Sequence, residues 1–585
     1  MRHPSSRASG NPPRSLWSEA PQISCAWQGR VPDASQAHMP AFSGLPADRP
    51  WFDRARAWIL WTASLAVLYG VLFLDAPLSA LNFPLNDDWA YARVVRNLIE
   101  TGRYELTTWC GMPLLPQAIW GVLFSGALGF SFNSLRLSTL VLAVVTIVLL
   151  EKWIRSSGVA PLQAILGVCL IGFNPVFFTL ANSFMTDVPF TALLVGALTV
   201  YPKPGATLQL IAFAATCVAM TLQRQIGLAI AAAYLIHRNL HRGIILRERI
   251  EAGIPLVASA LAYTGVRFAL DHTTGLPSAF NVHIDQLVHT LQGLSALDAK
   301  TLQAVSRNII IIICFLGLFS FPLAMRVWGS LAWTQRAVVI ALTWAIVRLY
   351  PHLHIGMPMT DNVWIDGGIG PLTLREDFIS GNTYHRFPEW LSRDLIWLSA
   401  FGGSVVIARF AQVALGREDG RRFLLVAIGI YGMALVLVRF FDRYLIPLLV
   451  MTVPLLGERR RGAWYWEAAS WAGCLILAVS SLAGTYEYLS WNRARWQALN
   501  ELTEVRKVEP HEIDGGLEFN GWHFCQRECA GRVAKPGCFF VQDDRWLIAR
   551  SSLDGYQEMF RIPYPRFGLK GREKSAVLAL RRISE

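Results

Sequence analysis

Long apolar runs dominate this chain and limit what it can fold into. We count about thirteen of them as candidate membrane spans, although several are shorter than the ~20 residues of a full crossing. Only helices and closed barrels satisfy their backbone polar groups in lipid, and continuous rather than alternating apolar runs favour helices. The runs are 58–75, 134–152, 160–180, 188–201, 206–220, 225–237, 252–270, 308–326, 336–350, 394–413, 423–438, 444–457 and 464–484.

Composition agrees with a polytopic helical membrane protein. Charged residues make up 16% of the chain, against about 25% in soluble proteins. Apolar residues make up 53% and the mean hydropathy is +0.36, which excludes a disordered chain and disfavours an ordinary soluble enzyme of several domains. The net charge of +12 comes from basic residues between the apolar runs, so it indicates membrane orientation rather than nucleic-acid binding.

The basic residues also predict the topology, because Lys and Arg concentrate on the cytoplasmic side. With the N-terminus inside, the inner segments include Arg459, Arg460 and Arg461. Counting the apolar run 116–130 as a span would place these three arginines outside, so we interpret that run as an interfacial helix. The polar stretches 76–133, 271–307, 351–393 and 485–585 are then outside.

Three regions follow from this pattern. Residues 1–50 are rich in Pro, Ser, Ala and Arg and predict a disordered cytoplasmic leader. Residues 51–484 form the transmembrane domain, with amphipathic juxtamembrane helices in the first outer loop. Residues 485–585 have mixed composition, with Gly515-Gly516 and short aromatic runs, and predict a small extracytoplasmic α+β domain.

Four cysteines are expected on the outer side of the membrane, where disulfides persist. They are Cys110, Cys525, Cys529 and Cys538. His523 lies beside them in sequence, but the spacing matches no standard zinc motif. A disulfide, free thiols and a metal site all stay open at this point.

The first outer loop carries a pair of carboxylates, Asp87-Asp88, at the predicted start of a helix that stops at Gly102. The following residues are amphipathic, so the pattern predicts a helix at the membrane surface with two acids at its N-terminus. Such acids suit a base that meets an amphiphilic substrate. Simple helix capping explains them equally well from the local pattern.

Three further charged residues stand at predicted outer ends of spans. Asp187 precedes Val188-Pro189, Arg224 lies between two glutamines, and Arg443 follows Asp442. A helix cap, a solvated turn and an ion pair with Asp442 are the alternative explanations. Together, however, acids and arginines at one membrane face suit transfer from a phosphate-linked donor, in which arginine holds the phosphate and an acid deprotonates the acceptor.

With these residues in view, the chain resembles the GT-C superfamily of polyprenyl-phosphate-sugar glycosyltransferases. The bacterial branch related to protein O-mannosyltransferases and to the lipid A aminoarabinose transferase is the most similar. Where that branch usually has Asp-Glu, this chain has Asp87-Asp88. The resemblance rests on Asp87-Asp88, Tyr91, 100–104, Pro113 to Trp120, Arg136-Leu137, Asn174-Pro175, 185–189, 224–227, 443–447 and 515–522.

The resemblance implies a function and a site. Asp87 is expected to be the general base of an inverting transfer, from a polyprenyl-phosphate sugar to a hydroxyl of a glycan, lipid or protein. Asp88 and Asp187 are expected to orient the acceptor, support the base or hold a divalent cation, and Arg224 and Arg443 to bind the donor phosphate. The implied location is the outer face of a bacterial inner membrane, among membrane lipids. A transporter or flippase for lipid-linked sugars is the alternative, although such proteins often have related halves, which this sequence does not display.

Overall fold

The computed structural model describes residues 78–583, apart from 204, 241–244, 361, 366–367, 380–386, 417–418, 459–462, 525–543 and 569–570, and also single residues between 56 and 70. The predicted leader 1–50 lies outside the described residues, as does most of the predicted first span, 58–75. Both therefore stay predictions.

Every other predicted span corresponds to one or two helices. In chain order the membrane body contains α1 Asp88–Thr101, α2 Leu115–Leu128, α3 Phe132–Ser156, α4 Pro161–Gly172, α5 Pro175–Ala181, α6 Asp187–Thr199, α7 Thr207–Gln223, α8 Leu228–Asn239, α9 Leu246–Thr273, α10 Val282–Ser295, α11 Ala299–Phe319, α12 Phe321–Ser330, α13 Trp333–His352, α14 Arg375–Ile379, α15 Glu389–Leu415, α16 Asp419–Val436, α17 Ile446–Leu456 and α18 Trp464–Asn500.

The predicted polytopic helical fold is confirmed, although the number of spans is not. Within the described residues, five helices are long and apolar enough to cross a membrane by themselves: α3, α9, α11, α15 and α18. A sixth candidate is the pair α4 and α5, which is bent by 66°. The other apolar helices are shorter; α8, for example, has 12 residues and a length of about 18 Å.

Two predicted spans are interrupted for reasons that their sequences explain. In 160–180 the break falls at Asn174, whose side-chain Oδ1 accepts hydrogen bonds from the backbone N–H groups of Val176 and Phe177 at 3.0 and 3.3 Å. Pro175 then occupies the first turn of α5, where its missing N–H costs nothing. In 308–326 the break falls at Ser320, just before Pro322 in the first turn of α12.

Helix α17 forms the centre of the bundle, because all its residues are buried and its sequence is apolar on every side. A short 3₁₀ turn, Asp442–Leu445, leads directly into it. Helix α6 begins at Asp187, α7 ends one residue before Arg224, and α1 begins at Asp88. The candidate site residues therefore all lie at helix ends.

The predicted α+β character of the C-terminal region is confirmed. A short hairpin of β1 Trp364–Ile365 and β2 Gly368–Ile369 precedes it in the chain. The C-terminal sheet has the order β3-β4-β6-β5, formed by β3 Ile513–Asp514, β4 Trp546–Ala549, β5 Tyr556–Gly568 and β6 Gly571–Arg582. Strand β3 is parallel to β4, and the other pairs are antiparallel. Helix α19, Leu517–Phe524, follows β3, and α18 continues past the predicted domain boundary at 484.

Candidate active site

Asp87 and Arg443 form an ion pair that joins the start of α1 to the start of α17. Arg443 Nη2 donates to Asp87 Oδ2 at 2.9 Å. The other carboxylate oxygen, Oδ1, accepts a hydrogen bond from the indole Nε1 of Trp109 at 2.8 Å. Asp87 occupies the N-cap position of α1, but its side chain makes no capping hydrogen bond. Both oxygens are thus directed at a cation and an indole rather than at the helix.

Asp187 and Arg224 form a second buried pair between α6 and α7. Arg224 Nη1 lies 2.7 Å from Asp187 Oδ1, and Arg224 Nε donates to the hydroxyl of Thr186 at 2.9 Å. Arg224 follows α7 in an extended conformation and packs its guanidinium 4.7 Å from the centre of the Tyr444 ring. The sequence left two alternatives open, a helix cap for Asp187 and a solvated turn for Arg224. The structure instead contains a buried ion pair between these residues.

Tyr444 connects the two ion pairs. Its ring also lies 5.6 Å from the guanidinium of Arg443. Asp87 and Asp187 both attract the Arg443 guanidinium electrostatically, and the two arginines repel each other. The structure therefore brings together Asp87, Asp187, Arg224 and Arg443, which come from four separate parts of the chain.

The cluster is buried and its formal charges balance. Arg443 is 3% exposed and Arg224 is 5% exposed. Burial alone would lower the pKa of Arg443, but Asp87 and Asp187 raise it well above its usual value. Among the described residues, Arg443 Nε and Nη1 and Arg224 Nη2 have no hydrogen-bond partner. Buried guanidinium N–H groups without a partner are costly unless a ligand uses them.

Asp88 faces a different direction from Asp87. Its Oδ1 accepts the backbone N–H of Leu85 at 2.6 Å, and its Oδ2 accepts that of Phe184 at 3.1 Å. Burial raises the pKa of Asp88 to about 8, although Arg136 and these N–H donors act in the opposite direction. The structure thus places Asp88 as a link between the start of α1 and the segment before α6, and not among the four clustered residues.

The residues proposed for a divalent cation do not fit one in this arrangement. Asp187 already faces Arg224, and both oxygens of Asp88 already accept backbone N–H groups. Within the described part of the chain, no three His, Cys, Asp or Glu residues form a group that could hold a metal. Cys110 is buried with its thiol 3.2 Å from the Thr107 hydroxyl, and Cys525, Cys529 and Cys538 lie outside the described residues.

Several residues that hold the site were not predicted as site residues. One is Trp109, whose indole Nε1 donates to Asp87 Oδ1. Asp442 accepts the backbone N–H groups of Val363 and Trp364 at 2.9 and 2.7 Å. It also accepts the backbone N–H of Arg443 at 2.6 Å, so it positions Arg443, whose side chain pairs with Asp87 instead. The sequence signal for Asp442 is the charged pair Asp442-Arg443 directly before the apolar helix α17.

The C-terminal region also contacts the start of α1. Asn86 has a positive φ of 56°, and its backbone N–H donates to Glu518 Oε1 of α19 at 3.1 Å. Glu518 Oε2 lies 2.8 Å from Arg495 Nη2 of α18, and both side chains are fully buried. Gly521 of α19 lies against the Trp89 ring, where an added Cβ would be 2.4 Å from the nearest ring atom. This contact fixes the backbone on either side of Asp87.

No protein-family model and no curated protein sequence matches the chain. Among solved structures, it is similar to the S. cerevisiae protein O-mannosyltransferase Pmt1-Pmt2 complex bound to the sugar donor, with 15% identity, TM-score 0.30, and coverage of 41% of this chain and 34% of that one. It is also similar to the Archaeoglobus fulgidus oligosaccharyltransferase AglB in complex with an inhibitory peptide and a dolichol-phosphate, with 15% identity, TM-score 0.41, and coverage of 78% and 58%.

A third similar structure is ArnT from Cupriavidus metallidurans bound to undecaprenyl phosphate, with 12% identity, TM-score 0.36, and coverage of 90% of this chain and 98% of that one. The chain thus spans about a third of the first structure and somewhat over half of the second. At these TM-scores the similarities assign no role to any residue of this chain.

Proposed function

We propose that this protein is a membrane glycosyltransferase that moves a sugar from a polyprenyl-phosphate carrier to an acceptor hydroxyl. The observation that carries the proposal is the buried cluster of Asp87, Asp187, Arg224 and Arg443 at helix ends. Two acids and two arginines supply the two functions that this transfer needs, a base and a phosphate-binding site.

The arginines are suited to the phosphate. Guanidinium groups bind phosphate oxygens through pairs of parallel N–H donors, and such charge-assisted bonds are stronger than neutral ones. Arg443 has two buried nitrogens without a partner and Arg224 has one, so donors are available without unfolding the site. As the bond from the sugar to the phosphate breaks, negative charge grows on the phosphate, and fixed cations in a buried site stabilise it.

Asp87 is suited to be the base. Its carboxylate accepts the acceptor's proton while the acceptor oxygen attacks the anomeric carbon and the polyprenyl phosphate leaves from the opposite side. This single displacement inverts the configuration at that carbon. Arg443 donates to Asp87 Oδ2, so a phosphate that attracts Arg443 would free this oxygen for the proton. Donor binding and activation of the base are therefore coupled in the proposal.

The remaining acids have supporting roles. Asp187 holds Arg224 in its phosphate-facing position and balances its charge. Asp88 holds the backbone next to Asp87 through Leu85 and Phe184. The site lies at the outer face of a bacterial inner membrane in the topology that the positive-inside rule predicts, with the N-terminus in the cytoplasm.

The test is a transfer assay with the purified full-length chain in lipid nanodiscs. Radiolabelled polyprenyl-phosphate sugars are supplied with lipid, glycan and peptide acceptors, and the product is separated from the carrier. Release of free polyprenyl phosphate together with a labelled acceptor is the expected result, and the anomeric configuration of the product should be inverted. In proteoliposomes, movement of the intact lipid-linked sugar across the bilayer without transfer would instead identify a flippase and overturn the proposal.

A further inference from the structure

His283 lies beside the arginine cluster although it comes from a different part of the chain. It is in the first turn of α10, in the outer loop between α9 and α11. Its ring packs edge-on against Tyr444, with the ring centres 6.3 Å apart, and Tyr444 is the residue that both arginines contact. The imidazole therefore contacts the same aromatic ring as the two arginines.

One imidazole nitrogen of His283 makes no hydrogen bond to any described residue. His283 Nδ1 is buried and has no hydrogen-bond partner within the described part of the chain. The same holds for Arg443 Nε, Arg443 Nη1 and Arg224 Nη2. Buried polar atoms normally have partners. Nitrogens without a partner on three neighbouring side chains that share one aromatic ring, three of them guanidinium donors, point to a missing acceptor common to all three.

We propose that His283 is a third ligand of the donor phosphate, and that its Nδ1–H donates a hydrogen bond to a phosphate oxygen beside Arg224 and Arg443. The inference rests on the proposed function. The donor is a phosphodiester with one negative charge. When the sugar C1–O bond breaks, its electron pair stays on the phosphate oxygen, while the acceptor oxygen bonds to C1 and gives its proton to Asp87. The carrier leaves with a second negative charge, which His283 and the two arginines share.

The surroundings of His283 make this contact sensitive to pH. Burial lowers the pKa of His283, a side-chain hydrogen bond with Gln286 on the next turn raises it, and the positive charges of Arg224 and Arg443 lower it. The free imidazole is therefore neutral around pH 7. A bound phosphate adds negative charge beside it and favours the protonated form. Binding then takes up a proton, so the affinity for the donor rises as the pH falls.

Other charged groups near this helix end also have to be considered. Asp285 and His289 are on α10 itself and both are exposed. The backbone N–H of Arg439 donates to Gln286. Burial raises the pKa of Asp442 to about 7, so this carboxyl titrates in the same range. The contribution of His283 is therefore measured as the difference between wild type and variants of that residue.

The experiment measures binding of undecaprenyl methyl phosphodiester, whose charge does not change between about pH 5.5 and about pH 8, to the full-length chain in nanodiscs. Wild type should bind on the order of tenfold more tightly at the lower pH, as a hydrogen bond between charged groups predicts. His283→Asn keeps a neutral N–H near Nδ1 and should bind with a clearly smaller pH dependence than wild type, since only the contribution of Asp442 remains. His283→Ala should weaken binding at both pH values. The exposed His289→Asn is the matched control and should behave as wild type.

The outcomes separate the two proposals. If both His283 variants bind the phosphodiester as wild type does at both pH values, while Arg443→Ala loses binding, the inference about His283 is wrong and the proposed function stands. If wild type does not bind this lipid, or Arg443→Ala and Arg224→Ala bind it unchanged, the phosphate site and the proposed function both fail. Thermal unfolding of each variant, compared with wild type, identifies loss of binding through misfolding.

Discussion

The substitution Asp87→Asn tests the proposed base with little change in size. In the variant the amide oxygen can accept from either Trp109 or Arg443, but not from both as the carboxylate does at 2.8 and 2.9 Å. One hydrogen bond involving a charged group is lost, which costs about 1.5–3 kcal/mol of unfolding free energy. Because the charge of Asp187 also stabilises the Arg443 cation, we expect the loss of unfolding free energy to lie at the lower end of that range. The variant should fold.

Turnover should change far more than stability. An amide cannot take the proton of the acceptor hydroxyl, and removal of a general base typically costs 10²–10⁴-fold in rate, or about 2.7–5.4 kcal/mol of activation free energy. The adjacent Asp88→Asn is the matched control. Its new amide N–H₂ group would face the backbone N–H of Leu85 or Phe184, so it should cost about 1–3 kcal/mol of stability and leave turnover per folded molecule within a few-fold.

The assay combines both measurements on the same preparations. Initial rates are taken at saturating donor and acceptor, and are divided by the folded fraction obtained from thermal unfolding. Turnover near that of wild type in Asp87→Asn would refute its role as the base. An equal loss of turnover in the two variants would point to a paired role such as a shared cation. Chelator treatment and addition of Mg²⁺ would then detect that cation.

Three further predictions concern the donor phosphate, the contact at Gly521 and the membrane topology. Arg443→Ala should raise the apparent KM for the lipid donor at least tenfold, and Arg443→Lys should recover only part of the loss, because an ammonium cannot form two parallel hydrogen bonds. Initial rates at varied donor concentration measure this KM, and an unchanged KM would mean that the phosphate binds elsewhere. Gly521→Ala should lower the thermal unfolding temperature, because its Cβ would lie 2.4 Å from the Trp89 ring and overpacking costs about 1–3 kcal/mol. Gly253→Ala, which has open space around the added Cβ, is the control, and equal unfolding temperatures of the two variants would contradict the contact. A reporter active only outside the cytoplasm should be active after residue 500 and silent at 240 or 460, and activity at 460 would mean that the helix at 116–130 crosses the membrane.

The sequence predicted the helices better than their interruptions. Apolar runs identify buried or lipid-facing segments directly, which is why helices occur at the predicted spans in the described part of the chain. The bend at Asn174 depends on one side chain that caps a new helix, and hydropathy does not register it. Helix α18 extends to Asn500 because polar residues of its last turns, such as Arg495, are buried against the C-terminal region. A hydropathy profile treats those turns as solvent-exposed.

The site was predictable as a set of charges but not as a set of pairs. Charges at span ends are visible in the sequence, and Asp87, Asp187, Arg224 and Arg443 do lie together. Which acid faces which arginine depends on the packing of α1, α6, α7 and α17. The different orientations of Asp87 and Asp88 could not be foreseen either, because adjacent residues at a helix start differ by about 100° in direction.

The contact between α19 and the start of α1 has a consequence for biosynthesis. Glu518 is close to the end of the chain, yet it accepts the backbone N–H of Asn86, which is synthesised early. A ribosome adds about 5–20 residues per second, so more than 400 residues separate these partners by at least some twenty seconds. In the predicted topology, the segment before α1 lacks this partner until residues 485–585 have crossed the membrane. Under the proposed function, a nascent or truncated chain therefore carries an incomplete site, and transfer begins only after this segment has been translocated.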